Sequence, residues 1–220
     1  MKAHSERVSG KNFRPLAGKP LFRWILDTLL AVPAIDLVVI NTDAREILAD
    51  NGLVDSERVL IRDRRPEICG DLVSMNLVLA DDIANVSAQT YLMTHTTNPL
   101  LGSGTIALAL AQYQEGTSTG SADSLFTVNR VQTRFYRENS SAVNHDPDNL
   151  IRTQDLEPWF EENSCLYAFS ADSFASTNAR IGRKPAMFET PMLESIDIDT
   201  PDDWFLAEAV ATHQQRGNSA

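Results

Sequence analysis

The stretch SIDIDTPDD (195–203) sets Asp197 and Asp199 two residues apart, with Ile196 and Ile198 interleaved. In an extended chain alternate residues share a face. The isoleucines then point one way and the carboxylates the other, roughly 6.5–7 Å apart at Cα. Two carboxylates so placed repel unless a cation lies between them. Hard oxygen ligands of this number suit magnesium, which completes its shell with water and substrate phosphates. The competing role for Asp199 is to help cap a helix beginning at Thr200, which leaves Asp197 unexplained. Thr200 as N-cap, Pro201 at the first helical position and Asp202 and Asp203 in the first turn mark that helix start, so the last two belong to the helix dipole.

Three more stretches carry chemistry. SERVSGKN (5–12) fits the phosphate-binding pattern G-x-x-x-x-G-K-[ST] at Gly10 and Lys11 only. Ser5 stands where the first glycine belongs and Asn12 where the magnesium-binding hydroxyl belongs, which rejects that motif. There remains a turn whose N–H groups, with Lys11, face phosphates, or else a mobile basic terminus. RDRRPEICGDLVSMN (62–76) concentrates Arg62, Arg64 and Arg65. Guanidinium groups suit planar acceptors, although a surface turn paired with local acids accounts for Arg62 and Arg64. THTTNP (94–99) directly follows an expected strand. Ligands of open α/β sheets bind beyond the carboxyl ends of strands, so His95, Thr97 and Asn98 are candidates by position. For His95 the alternative is a hydrogen-bonded structural residue.

The elements that must position these residues alternate in kind. The pattern predicts helices over 20–32, 44–52, 74–86, 103–114, 171–178 and 200–215, strands at 35–43, 57–63, 89–94, 123–131, 165–170 and 195–199, and an extended piece at 185–191. A βαβα order implies an α/β fold, a mostly parallel sheet with helices on both faces. Residues 1–220 read as one domain. From Gln132 to about Glu162 the chain is polar and aperiodic, an excursion that covers a site or docks on a second subunit. The 220 residues are 43% hydrophobic and carry a formal charge of −11. That surface repels nucleic acid, so a bound anion needs a local basic cluster or a metal. No apolar run is long enough for a membrane span, and no apolar signal segment opens the sequence. Two cysteines without ligand spacing suit reduced thiols in the cytoplasm.

In this order the stretches resemble the cytidylyltransferases that activate acidic nine-carbon sugars, the acylneuraminate (sialic acid) type. That family opens approximately I-P-A-R-x-G-S-K-x-x-x-x-K-N. Lys2 stands at its arginine, Ser5 at its serine and Lys11-Asn12 at its Lys-Asn pair, and RPLAGKPLFRWIL continues it. NTD (41–43) stands for S-T-D, and RPEICGD places Arg65 and Asp71 on R-P-x-x-x-x-D. HTTNPL stands for Q-P-T-S-P-L, NSCLY (163–167) for N-G-x-x-Y, and SIDIDT is matched letter for letter. Glu6 and Arg7 depart from a Lys-Gly step, His95 from a glutamine and Lys2 from an arginine.

The resemblance implies a Rossmann-like nucleotidyltransferase fold and Mg2+-dependent transfer of CMP from CTP to the anomeric hydroxyl of an acidic 2-keto sugar, in the cytoplasm. Catalysis falls to Lys11, Asp197 and Asp199, the last two holding the metal. The nucleotide falls to Lys2, Ser5, Lys11, Asn12, Arg65 and Ser74, and the sugar to His95, Thr97, Asn98, Asn163 and Tyr167. The 132–162 excursion then crosses to the partner in a homodimer. The family's apolar first strand is missing ahead of the loop, and an upstream extension would supply it. Two rival readings are a cytidylyltransferase for the eight-carbon acid of lipopolysaccharide and an inactive nucleotide- or sugar-binding relative.

Overall fold

The computed structural model describes residues 1–2, 10–70 and 72–217. A two-residue turn, Ala17-Gly18, joins β1 (Pro15–Leu16) to β2 (Lys19–Pro20), and both turn residues have positive φ, the backbone twist that tight hairpins need. α1 (Leu21–Leu30) starts directly after Pro20, whose ring ends the ladder. Then come β3 (Val38–Thr42), α2 (Arg45–Asp50), β4 (Val59–Asp63), α3 (Met75–Asn85), β5 (Tyr91–Thr94) and α4 (Ser103–Thr119). The second half comprises β6 (Ser124–Val131), β7 (Trp159–Phe169), α5 (Ala171–Thr177), β8 (Pro185–Glu189) and α6 (Pro201–Gly217).

β3 and β4 pair in parallel, and a four-stranded sheet runs in the order β5-β7-β6-β8. Within it β5, β6 and β8 share one direction, and β7 alone runs against them. Alternation along β7 builds both faces. Leu166 and Ala168 join the large core with α1, α2 and α4, while Tyr167 and Phe169 face α3 and α5. The expected layering, helices on both faces of a central sheet, is therefore present. A third cluster, Leu16, Leu21, Ile198, Trp204 and Ala207, fastens α6 to the hairpin.

One expected strand does not form. Residues 196–199 are extended but join no ladder, and only Ile198 N–H bonds across, to Thr97 O at 2.9 Å. The alternation survives without pairing, because Ile196 and Ile198 both pack into the third cluster. β3 and β5 are not laddered to each other either. A chain of polar contacts spans them: the Met1 amine donates to Asn41 O, Asn12 Nδ2 to Lys2 O at 2.8 Å, and Thr96 Oγ1 to Asn12 Oδ1 at 2.7 Å. Burial and the nearby Arg64 pull the Met1 amine down to about 5.

Between β6 and β7, residues 132–158 form loops, one 3-10 turn (Thr153–Asp155) and an isolated bridge from Tyr136 to Ala142. Phe135 stacks on Trp159 with ring centres 5.0 Å apart. Leu150 and Ile151 stay 62% and 46% exposed, and Trp159 and Phe160 are also exposed.

Candidate active site

Gly10, at φ +60°, opens a turn whose next residues fold back on its carbonyl, with Phe13 and Arg14 N–H donating to Gly10 O. The turn drives Lys11 inward. Its ammonium, on a residue only 8% exposed, donates to Ile198 O at 2.6 Å and lies 3.5 Å from Asp199 Oδ1. A contact spanning 187 residues of sequence thus joins the opening turn to the acidic stretch. Asp199 does not cap α6. Asp203 Oδ2 accepts from Thr200 N–H, Thr200 Oγ1 and Asp199 N–H, while Asp203 N–H donates to Thr200 Oγ1, a reciprocal cap. These hydrogen bonds hold the Asp203 carboxyl below its ordinary value. Asp199 is left facing Lys11.

Asp197 is half-buried, and its Oδ1 is sealed from solvent with no hydrogen-bond partner among the described residues. Desolvation raises its pKa and the Asp199 charge adds to the rise, while the Thr97 hydroxyl and Lys11 oppose it. An orphaned carboxylate oxygen beside a second carboxylate fits a hard cation. No cluster of three or more His, Cys, Asp or Glu side chains that could hold a metal ion occurs among the described residues; Asp197 and Asp199 would offer two carboxylates. Two carboxylates, with water and phosphate oxygens filling the shell, is the arrangement magnesium takes.

His95 lies just beyond β5, half-buried. Burial first, then the charges of Arg180 and Lys11, pull its pKa down to about 4, so the ring is neutral near pH 7. Thr97 anchors the acidic stretch through its carbonyl and hydroxyl. Asn98 is wholly buried, with neither amide atom partnered among the described residues. Lys11, Asn12, His95, Thr97, Asp197 and Asp199 therefore gather where the opening turn meets the end of β5, and Lys2 joins them through Asn12.

Ser74 caps α3, its hydroxyl accepting from Asn76 N–H at 3.3 Å. With Asn76, Glu162 and Arg180 it lines a shallow hollow. Arg65 Nε pairs with Asp81 Oδ1 at 2.9 Å. Arg62 is paired with acids as expected, Nη2 to Asp81 Oδ2 at 2.9 Å and Nη1 to Asp82. Arg64 differs from expectation. It is buried, not on a surface turn, and holds Asn41 through Oδ1 at 2.9 Å and the backbone O at 2.8 Å. Asn41 Nδ2 in turn donates to Asp82 at 2.8 Å.

Asn163 and Tyr167 are occupied inside the sheet. Asn163 Nδ2 donates to Asn129 Oδ1 at 2.9 Å and Thr190 Oγ1 at 2.6 Å, and its Oδ1 accepts from Cys165 N–H. Those bonds shape a bulge in which Ser164 takes φ +59° and Thr127 Oγ1 exchanges hydrogen bonds with Leu166. Both hydrogens of the Asn163 amide are thus committed within the sheet, and its Oδ1 accepts one bond. Tyr167 is buried, with Arg180 3.9 Å above its ring, and its hydroxyl donates to the Glu162 carboxylate and lies within hydrogen-bond reach of the Ser164 hydroxyl. Burial raises that hydroxyl to about 12. The Asn41–Asp81–Asp82 network escaped the sequence reading, and so did the Glu162–Arg180 pair. The one available signal was Arg62 and Arg64 at alternate positions, which places both on one side of a strand. Ser5, and with it Glu6, Arg7 and Asp71, lies outside the described residues.

Comparison with known proteins follows the same line. A model of the cytidylyltransferase family matches residues 1–217. The CMP-N,N'-diacetyllegionaminic acid synthase of Legionella pneumophila is 27% identical over 219 residues, covering 94% of this chain and 91% of that protein. N-acylneuraminate cytidylyltransferase B of Danio rerio is 29% identical over 93% of the chain, which spans 48% of that longer relative. Among solved structures, a CMP:2-keto-3-deoxy-manno-octonic acid synthetase complexed with CTP superposes at TM-score 0.65 with 14% identity, over 97% of this chain and 96% of the other. The 4-diphosphocytidyl-2C-methyl-D-erythritol synthase of Anaerococcus prevotii gives 0.61 at 11% identity, over 96% and 93%. These two share the fold.

Proposed function

The chain belongs to the cytidylyltransferase family, and from that premise we propose that it transfers CMP from CTP to the anomeric hydroxyl of an acidic nine-carbon 2-keto sugar, releasing pyrophosphate. The acceptor oxygen bonds to the α-phosphorus, the bond from that phosphorus to the bridging oxygen of pyrophosphate breaks, and the hydroxyl proton passes to solvent water. The observation that carries the reading is the meeting of buried Lys11 with Asp199 beside the orphaned Asp197 oxygen. Lys11 is fixed before substrate arrives, so its charge opposes the charge developing on the leaving pyrophosphate without reorganisation. Asp197 and Asp199 would hold Mg2+, which when bound neutralises phosphate charge and acidifies the attacking hydroxyl. Arg65 and Ser74 serve the nucleotide, while neutral His95, with Thr97 and Asn98, serves the sugar side. Tyr167 acts from beneath, by supporting Arg180.

Pyrophosphate release with CTP, Mg2+ and a panel of acidic sugars tests the reading. Turnover with a nine-carbon acid and none with the eight-carbon acid is expected. Turnover with the eight-carbon acid alone would move the chain to that activity, and CTP binding without turnover on any sugar would mark an inactive relative.

The same reading includes a homodimer. Leu150, Ile151, Trp159 and Phe160 stay exposed on an arm that its own fold does not cover, and apolar groups clustered in this way suit a partner surface. We expect sedimentation at micromolar concentration to give the mass of two chains, and a clean monomer overturns it.

A further inference from the structure

We infer that Asp81 is a positioning residue, which sets the guanidinium of Arg65 for the nucleotide; the inference rests on the nucleotidyltransferase reading above. Arg65 follows β4, with its side chain 62% exposed, yet its Nε is paired with a carboxylate whose side chain is only 4% exposed. Such a long side chain is ordinarily free to rotate, and pairing it with a buried, fixed partner removes that freedom before a ligand arrives.

Asp81 is fixed from its other side. Its Oδ2 takes Arg62 Nη2 at 2.9 Å, and Arg62 also reaches Asp82 on the same helix. Asn41, gripped by buried Arg64, donates to Asp82 and approaches Asp81 Oδ2 at 3.4 Å. Both oxygens of Asp81 are thus committed, one to each arginine, and α3 is locked to the carboxyl ends of β3 and β4. Engaging Arg65 through Nε leaves its two terminal nitrogens without a contact to a described residue. Those nitrogens form the planar donor pair that suits a phosphate or a base edge. Asp81 sits on the second turn of the helix that Ser74 caps, so one rigid element carries Ser74 and, through Asp81, orients Arg65.

A thermodynamic cycle in the full chain tests this, with CTP affinity read by calorimetry and KM and kcat read by pyrophosphate release. Asp81→Asn should weaken CTP about tenfold and raise its KM by a similar factor, with kcat at saturating CTP within about twofold. Arg65→Ala should weaken CTP at least as much. The double variant should bind CTP no worse than Arg65→Ala alone, because Asp81 acts through Arg65. A purely structural Asp81 would instead lower kcat and add its full effect on the Arg65→Ala background, and that result overturns the inference. Should Asp81→Asn fail to fold, Asp81→Glu keeps the charge but displaces the carboxylate. It should weaken CTP in the parent and not in the Arg65→Ala background, and equal weakening in both overturns the inference. Wild-type protein that does not bind CTP takes down the nucleotidyltransferase reading itself. Weakened Arg65→Ala beside unaffected Asp81 variants takes down the positioning role alone.

Discussion

Two charged clusters stand at the carboxyl edge of the sheet, and they are assembled in opposite ways. Around Lys11 one ammonium lies 3.5 Å from the Asp199 carboxylate, and an Asp197 oxygen has no partner among the described residues. Around Asp81 three arginines, Arg62, Arg64 and Arg65, share two carboxylates and one asparagine, and each buried oxygen of the pair is engaged. The first cluster leaves a carboxylate oxygen unbonded among the described residues, and the second presents an outward guanidinium. On the proposed function, a polyanion carrying a divalent cation would complement both at once, its metal at the first and its anionic or planar polar groups at the second. A protein of formal charge −11 can hold such a ligand because the compensating charges are local.

The comparison breaks first at Asp199. Asp199→Asn should lower pyrophosphate release by at least about 100-fold, the scale of losing one preorganised electrostatic group. Its melting temperature should stay near that of the parent, since Asp203 caps α6 by itself. Full activity in this variant would remove the acidic pair from the site.

Thermal shifts separate the clusters. At 100 times its dissociation constant a ligand stabilises the native state by about 2.7 kcal/mol. CTP should do so more than ATP, GTP or UTP, and equal shifts for all four would reduce the site to a general phosphate binder. Asp197→Asn should abolish the shift caused by Mg2+ alone, whereas Arg65→Ala should reduce the shift caused by CTP and leave that of Mg2+. If either variant loses both shifts, the clusters act as one site.

His95, beside the Lys11 cluster, gives a pH signature. Its folded pKa, near 4, lies below the unfolded value of 6.5. The unfolded chain therefore binds this proton first as pH falls, and stability is lost between about pH 6.5 and 4, by on the order of 1–3 kcal/mol. His95→Gln should flatten that part of the profile in denaturant melts, and an unchanged acid limb would place the loss elsewhere.

The smallest effect belongs to the bulge. Ser164 holds φ +59°, which costs a non-glycine residue about 1–2 kcal/mol. Ser164→Gly removes that strain but frees the unfolded chain and gives up the bond with Tyr167 at 3.1 Å. A gain of about 0.5 kcal/mol is expected from chemical denaturation, and a clear loss would show that the Tyr167 bond outweighs the strain.

Local pattern made most of the fold legible. The helical stripe of 20–32, the β-branched runs and the Thr200-Pro201 start all act within a few residues, where propensity and capping operate. The same holds for the alternation of Ile196 with Asp197, which fixes their faces whether or not a strand pairs there. Pairing itself needs a neighbour, and no described strand ladders with 196–199, so the expected strand stays unpaired. The direction of β7 was likewise invisible, because its composition suits a buried strand of either sense.

The sequence by itself determined the alternating α/β order, the acidic pair at Asp197 and Asp199, and the cap of the last helix. Only the tertiary structure decided which groups meet. Lys11 reaches Ile198 across 187 residues, Arg65 finds its carboxylate on a helix face, and Asn163 closes a bulge where a sugar contact was expected. These contacts join side chains from separate elements, and burial fixes them: once water is excluded, each donor must take whichever acceptor the packing brings within reach.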